Sequence, residues 1–358
     1  MIPAWKLRRE LRRVGQQLRA VPEAVWEPLA RRLHDRKLAR GFPTFDGDQP
    51  LGPKVALVLC WQPQGLAPSF HDKLRHLVDN GYAPFVVSNA PLSAADQAAI
   101  KPLIWRAVER PNFGYDFGGY RDGLILLRQW AVHPDRLVIL NDSVWFPLWS
   151  GDVTLQRAEA SAFDVVGTIL RRRDDLAFLE SYFFSIRGPV LDHPGFRAFW
   201  DQLRLTSNKY KVIRRGERGF GLALGAAGIS KGPLFSSDQL SRLFETADEA
   251  DLRQYLAHFA TVNPDELAEA AALFAAPSSP DWVQNARGFV ARVLKRAQPY
   301  SAFPVAAAGC LGYPMLKKSA DPVNVCWRAS FLKAVDDGIL PAPLPSVLAE
   351  ARARTKAV

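Results

Sequence analysis

Residues 136–143 read RLVILNDS: an apolar run, Leu137–Leu140, that ends on Asn141, Asp142 and Ser143. A run this short and this apolar suits a strand buried on both faces of a sheet. Two earlier stretches repeat it, Val55–Trp61 (VALVLCW) and Pro84–Ser88 (PFVVS), with a weaker one at Ile104–Val108. Helical spacing fills the gaps. Ser69–Asn80 puts Phe70, Leu74, Leu77 and Val78 on one face and stops at Gly81; a second helix follows from about Ser93, and a third spans Gly118–Val132. Strand and helix alternate at intervals of roughly 25–30 residues, which predicts an α/β fold with a mainly parallel sheet flanked by helices. Ligands of such sheets bind at the carboxyl ends of the strands, so the loops after Trp61, Ser88, Val108 and Leu140 are the ones to read for chemistry.

Beyond Gly151 the alternation loosens. Phe163–Leu170 and Tyr182–Ile186 read as strands; His193–Leu205, Glu217–Ala227, Pro264–Ala275 and Asp281–Ala297 read as helices. The expected organisation is a basic helical segment over 1–42, a catalytic α/β domain over 50–235, a mainly helical part over 236–340, and a flexible Pro- and Arg-rich tail over 341–358.

The bulk numbers agree with a folded enzyme: 358 residues, 48% hydrophobic and 23% charged. Cys60, Cys310 and Cys326 are far apart and lack metal-ligand spacing, so they read as free thiols in a reducing compartment. No apolar stretch reaches the roughly 18–20 residues of a membrane-spanning helix, and the N-terminus lacks a secretory apolar run; the expectation is a cytoplasmic protein. The formal charge of +10 is concentrated early, because residues 1–40 hold eleven Lys/Arg against four acids. Trp5, Leu7, Leu11, Val14 and Leu18 recur there at near-helical spacing. Two readings fit: an amphipathic helix on the anionic inner face of a membrane, or a helix docked on the protein's own core. No nucleic-acid-binding motif accompanies the charge, so nucleic acid is not an expected partner.

Two strand-end loops carry chemistry. In Asn112–Gly123 (NFGYDFGGYRDG), glycines at the start of a helix let the backbone approach a phosphate, or simply let the helix pack closely on the sheet. In Asn141-Asp142-Ser143, the carboxylate can hold Mg²⁺ or Mn²⁺, while Asn141 and Ser143 orient ligands; an Asx turn is the plainer reading.

Taken together, N-x-G-x-D, a helix, and then L-N-D-S-x-x-x-P over Pro111–Leu148 resemble the rhamnan synthesis protein F family of polysaccharide glycosyltransferases. The resemblance covers about residues 50–235, and more faintly Gly312–Lys318 (GYPMLKK). The layout is also similar to inverting GT-A transferases, whose core is Rossmann-like. One departure is Phe146 before Pro147, where the family usually has glycine; it would narrow the site or change its acceptor.

What the resemblance implies is a nucleotide-sugar donor, rhamnose or a related deoxyhexose first. A divalent cation, Mn²⁺ or Mg²⁺, would assist, and the acceptor would be a polysaccharide or lipid-linked glycan, as in lipopolysaccharide. Asp142 would be the metal ligand. Asn112, Gly114, Asp116 and Gly118, with Asn141 and Ser143, would shape the donor pocket. Arg121 would neutralise phosphate, or be a solvated surface arginine. Inverting transfer needs a general base. Glu217 is the candidate, in Arg214-Arg215-Gly216-Glu217; the plainer reading has it complementing the dipole of a helix that starts there. Asp174-Asp175 reads as a solvated loop pair. A non-catalytic sugar-nucleotide-binding protein on a transferase fold is the alternative, with Phe146 as its clue. A metal-dependent phosphoesterase would want more converging carboxylates than the N-terminal half offers.

Overall fold

The computed structural model describes residues 26–173, 176–296 and 299–356. Residues 1–25, with the Trp5–Leu18 stripe, and Asp174-Asp175 lie outside them. The chain enters as a helix over 26–40, α1. Eleven strands follow among the described residues: β1 Thr44–Asp46, β2 Lys54–Cys60, β3 Ala83–Ser88, β4 Arg106–Glu109, β5 Arg136–Leu140, β6 Val144–Trp145, β7 Val165–Arg173, β8 Leu176–Leu179, β9 Phe183–Arg187, β10 Lys231–Phe235 and β11 Leu316–Lys317. The helices that cross between the first of these are α2 (Pro68–Asp79), α3 (Ala94–Ile100) and α4 (Tyr115–Gln129).

The main sheet runs β1-β4-β3-β2-β5-β9-β7-β10, with β8 on β7. It is mixed, which corrects the expectation of a mainly parallel sheet. β4, β3, β2 and β5 are parallel, as the strand–helix alternation requires. β9 then lies antiparallel to both β5 and β7. The reason is connection length. β7 ends at Arg173 and β8 starts at Leu176, far too close for the crossover that parallel neighbours need, so the chain returns antiparallel along β7, first as β8 and then as β9. The two short strands β1 and β10 (KGPLF) escaped the pattern because neither is an apolar run.

The period of two in β2 sends its side chains to two cores. Ala56, Val58 and Cys60 face one, with Phe70, Leu74 and Leu77 of α2. Val55, Leu57 and Leu59 face the other, with Phe117, Tyr120 and Leu127 of α4. The C-terminal helices join the first core through Phe244, Trp282, Phe303 and Trp327. The tail is not frayed: Pro345–Lys356 is a helix that buries Val347 and Ala351. Its Glu350 accepts from Ser69 Oγ at 2.7 Å and from the Trp145 indole at 2.8 Å. A Pro-rich composition hid these tertiary partners.

The described part of the basic N-terminal segment docks on the protein itself. Leu38 enters the second core. Buried Glu27 meets Lys211 at 2.7 Å and Arg215 at 2.9 Å, and His34 Nε2 lies 2.6 Å from Asp122 Oδ2. Among the described residues no helix is long and apolar enough to cross a membrane. The three cysteines are free.

Candidate active site

Every parallel strand of the sheet ends on the same edge, and the acids gather there. Asp142 follows β5; its Oδ2 accepts from the Trp61 amide, one residue past β2, at 2.8 Å. Asn141 Nδ2 donates to Asp116 Oδ2 at 3.0 Å, which brings the first turn of α4 to the same place. Asn141 Oδ1 accepts from Ser143 N at 3.1 Å and Ser143 Oγ at 2.6 Å. The Asx turn therefore exists, and Asn141 makes it. Asp142 is left projecting from the turn with its second oxygen unbonded among the described residues. Burial, and then the charge of Asp142, raise the Asp116 carboxyl to about 6.

β9 starts at this edge because it runs against β5, and it brings a second set of groups. The Ser181 carbonyl accepts from Tyr120 at 2.8 Å, and the Ser181 amide donates to Glu217 Oε1 at 3.1 Å. Burial raises the Glu217 carboxyl, opposed by the Ser181 hydrogen bond and reinforced by Glu180. Glu217 does not open a helix. Asn208 caps the helical run at Lys209, and Glu217 lies within a π-helical turn, Arg214–Arg218, that continues into Gly219–Ala226. The dipole reading falls with that correction. A π-turn is a frequent site of function, and here a side chain at Gly216 would meet the Phe117 ring at 2.4 Å, so α4 presses against this turn.

The glycines of the 112–123 loop serve packing. Gly114 is left-handed (φ 84) as the cap of α4, and Tyr115 is left-handed too (φ 51). A Cβ at Gly118 would sit 2.1 Å from the Phe113 carbonyl oxygen, and at Gly119 2.1 Å from Leu59. Gly119 thus lets the helix approach the sheet, and Gly118 lets it approach the loop that leads into it. Two expected residues lie elsewhere. Asn112 accepts from Asn89 at 3.2 Å beyond β3, two strands from Asp142. Arg121 is buried, neither solvated nor aimed at the strand ends: it pairs with Asp35 at 2.9 Å and donates to the Trp200 carbonyl at 3.1 Å. It fastens α1 to α4. Phe146 is likewise core, packed on His76 and Phe183.

Sequence reasoning missed the lysines. Lys73, fully buried on α2, donates to the carbonyls of Asn141 at 2.7 Å and Val144 at 3.3 Å, clamping the turn that carries Asp142 from both sides. Burial, aided by nearby Lys318, brings its ammonium down to about 7. The signal was present: Lys73 interrupts the Phe70–Leu74–Leu77 stripe, and a charge on an apolar face needs a buried partner. Lys317 on β11 and Lys318 just after it arrive from the GYPMLKK segment, because β11 pairs with β6. Lys317 Nζ lies 3.8 Å from Glu180, itself bonded by Arg171 at 2.6 Å.

Among the described residues no three His, Cys, Asp or Glu converge as a metal site. Asp142 and Asp116 each hold one oxygen in a hydrogen bond and keep the other, and the Asp116 carboxyl is raised by burial and then by its neighbour's charge. That set fits a hard divalent cation that takes its remaining ligands from a substrate's phosphates and water. It does not fit a structural metal.

An α/β protein with acids and buried lysines gathered at the strand ends carries its charged groups where such sheets bind their ligands. The family model described as rhamnan synthesis protein F matches residues 85–271, and the chain belongs to that family. A relative, the uncharacterized protein y4gN of Sinorhizobium fredii, is 30% identical over 263 residues, 72% of this chain and 68% of that protein. Among solved structures, the mannosyltransferase PcManGT from Pyrobaculum calidifontis, in complex with GDP-Man and Mn²⁺, is similar at 14% identity and a TM-score of 0.33. That match covers 90% of this chain and 97% of that one. A likeness so distant says nothing about the site.

Proposed function

We propose that this protein is a glycosyltransferase that moves a sugar, rhamnose or a related deoxyhexose, from a nucleotide-sugar donor to a polysaccharide or lipid-linked glycan, with inversion. Family membership supports the class of reaction. The observation that carries the site assignment is the meeting of Asp142, Asp116 and Glu217, from three separate chain segments, at one sheet edge. Asp142, with Asp116 beside it, would hold Mn²⁺ or Mg²⁺, which when bound supplies positive charge to the donor diphosphate. Asn141 keeps Asp116 in place and, through Ser143, sets the turn that aims Asp142. Lys73 fixes that turn from below.

Glu217 would take the proton of the acceptor hydroxyl as that oxygen attacks C1 of the sugar. Its burial raises the carboxyl and so improves it as a base. The Ser181 amide holds Oε1, leaving Oε2 for the acceptor.

Asp142→Ala tests the assignment. Its side chain serves one backbone amide, so the fold should survive. Calorimetry of nucleotide-sugar binding should show Mn²⁺-dependent affinity in the parent and none in the variant. Equal Mn²⁺-dependent affinity in both would remove Asp142 from the site.

A further inference from the structure

β11 is a two-residue strand carried in from the far end of the chain, and its placement is specific. Leu316 pairs with Trp145 and Lys317 with Val144, and the Lys318 amide donates to the Ser143 carbonyl at 2.9 Å. The ribbon therefore begins on the residue next to Asp142. Its two ammoniums have different surroundings. Lys318 is engaged, donating to Ser69 Oγ at 3.3 Å with Glu350 at 3.9 Å. Lys317 has no hydrogen-bond partner among the described residues: its side chain is 26% exposed, it pairs with Glu180 at 3.8 Å, beyond hydrogen-bond reach, and it lies 3.9 Å from the Tyr182 ring centroid. That leaves its three N–H donors open.

The carboxylate and the ring offset part of the cost of burying this ammonium, but its three N–H donors still have room for an acceptor. The acceptor should be anionic. Arg171 takes Glu180 Oε1, Lys317 faces Oε2 from beyond hydrogen-bond reach, and Asp116 and Glu217 act on Lys317 only through their fields. A lysine suits a phosphate group as a compact point charge with rotatable donors.

We infer that Lys317 is a further catalytic residue, whose ammonium binds the diphosphate of the donor and stabilises it as it leaves. The inference rests on the glycosyltransferase reading of the site. In that reaction the acceptor oxygen forms a bond to C1, and the bond from C1 to the β-phosphate oxygen breaks. The electron pair departs with the nucleoside diphosphate, and the acceptor proton passes to Glu217. The diphosphate gains one negative charge in the step, so a fixed cation beside it is worth more in the transition state than in the ground state.

The test uses the full-length protein, Mn²⁺, and dTDP, UDP and GDP as probes. The diphosphate that binds the parent best should bind Lys317→Met roughly 10- to 100-fold more weakly, the worth of a hydrogen bond between charged groups. The same diphosphate should protect the Lys317 amine of the parent from acetylation, read by peptide mass spectrometry; this holds even where the variant fails to fold. Unchanged affinity in a folded Lys317→Met, or an unprotected amine in the parent, overturns the role of Lys317 and leaves the reaction class standing. A parent that binds none of the three diphosphates overturns the donor reading, and Lys317 with it.

Discussion

Replacing Asp116 with asparagine should make the protein more stable at neutral and alkaline pH, although it removes a site residue. Burial and the neighbouring Asp142 raise this carboxyl from 3.8 to about 6, so the native state prefers it protonated. The stability this preference confers is fully present below 3.8 and is lost as pH rises through about 6. Above that, holding the carboxylate costs about 2 pH units at 1.4 kcal/mol each, or about 3 kcal/mol. Asparagine has no charge to hold, and its carbonyl still accepts from Asn141 Nδ2. One term opposes the gain: an acid in the first turn of α4 complements the helix dipole by about 0.3–1 kcal/mol. The net expectation is a gain of about 2 kcal/mol at about pH 8, shrinking to nothing or to a small loss at about pH 3. Urea denaturation of parent and variant at the two pH values measures it. Mn²⁺ should stabilise the parent at about pH 8 and narrow the gap, because a cation between the two acids removes the repulsion. If Asp116 is only a helix-capping acid, the sign reverses and the variant is less stable at alkaline pH. A variant no more stable than the parent there would refute the paired-acid geometry.

Two further outcomes separate binding from chemistry and packing from binding. Glu217→Gln keeps an acceptor for the Ser181 amide but cannot take a proton, so the transfer rate at saturating donor should fall roughly 10²- to 10⁴-fold while donor affinity stays within a few-fold; near-parental turnover would send the search for the base to Asp116. Gly118→Ala puts a methyl group 2.1 Å from the Phe113 carbonyl oxygen and should cost about 1–3 kcal/mol of stability in denaturant titration; a fully stable variant with lost donor affinity would instead return that glycine to the phosphate.

Local patterning was legible in the chain. Four apolar runs of strand length, separated by amphipathic helices, make β2–β5 parallel without giving their order, and the rule that ligands sit at the strand ends then picks out Asp142 and Asp116. Glu217 was reachable only because the family resemblance aligned it; its setting, a π-turn inside a longer helix, is invisible to a pattern that reads Gly216 as a break. Tertiary structure decided the remainder, for reasons that are long-range in each case. The direction of β9 depends on the short link from β7 to β8, which turns the chain back along β7, and on an open edge at β5. Arg121 looked like a phosphate ligand from its place one turn along α4, yet the arrival of Asp35 from α1 buries it. Lys317 lies 175 residues beyond Asp142 in the chain, and only the pairing of β11 with β6 sets it there. Periodicity fixes which face of an element is apolar. It carries no information about which charged side chain will be brought to that face by a strand from the other end of the chain.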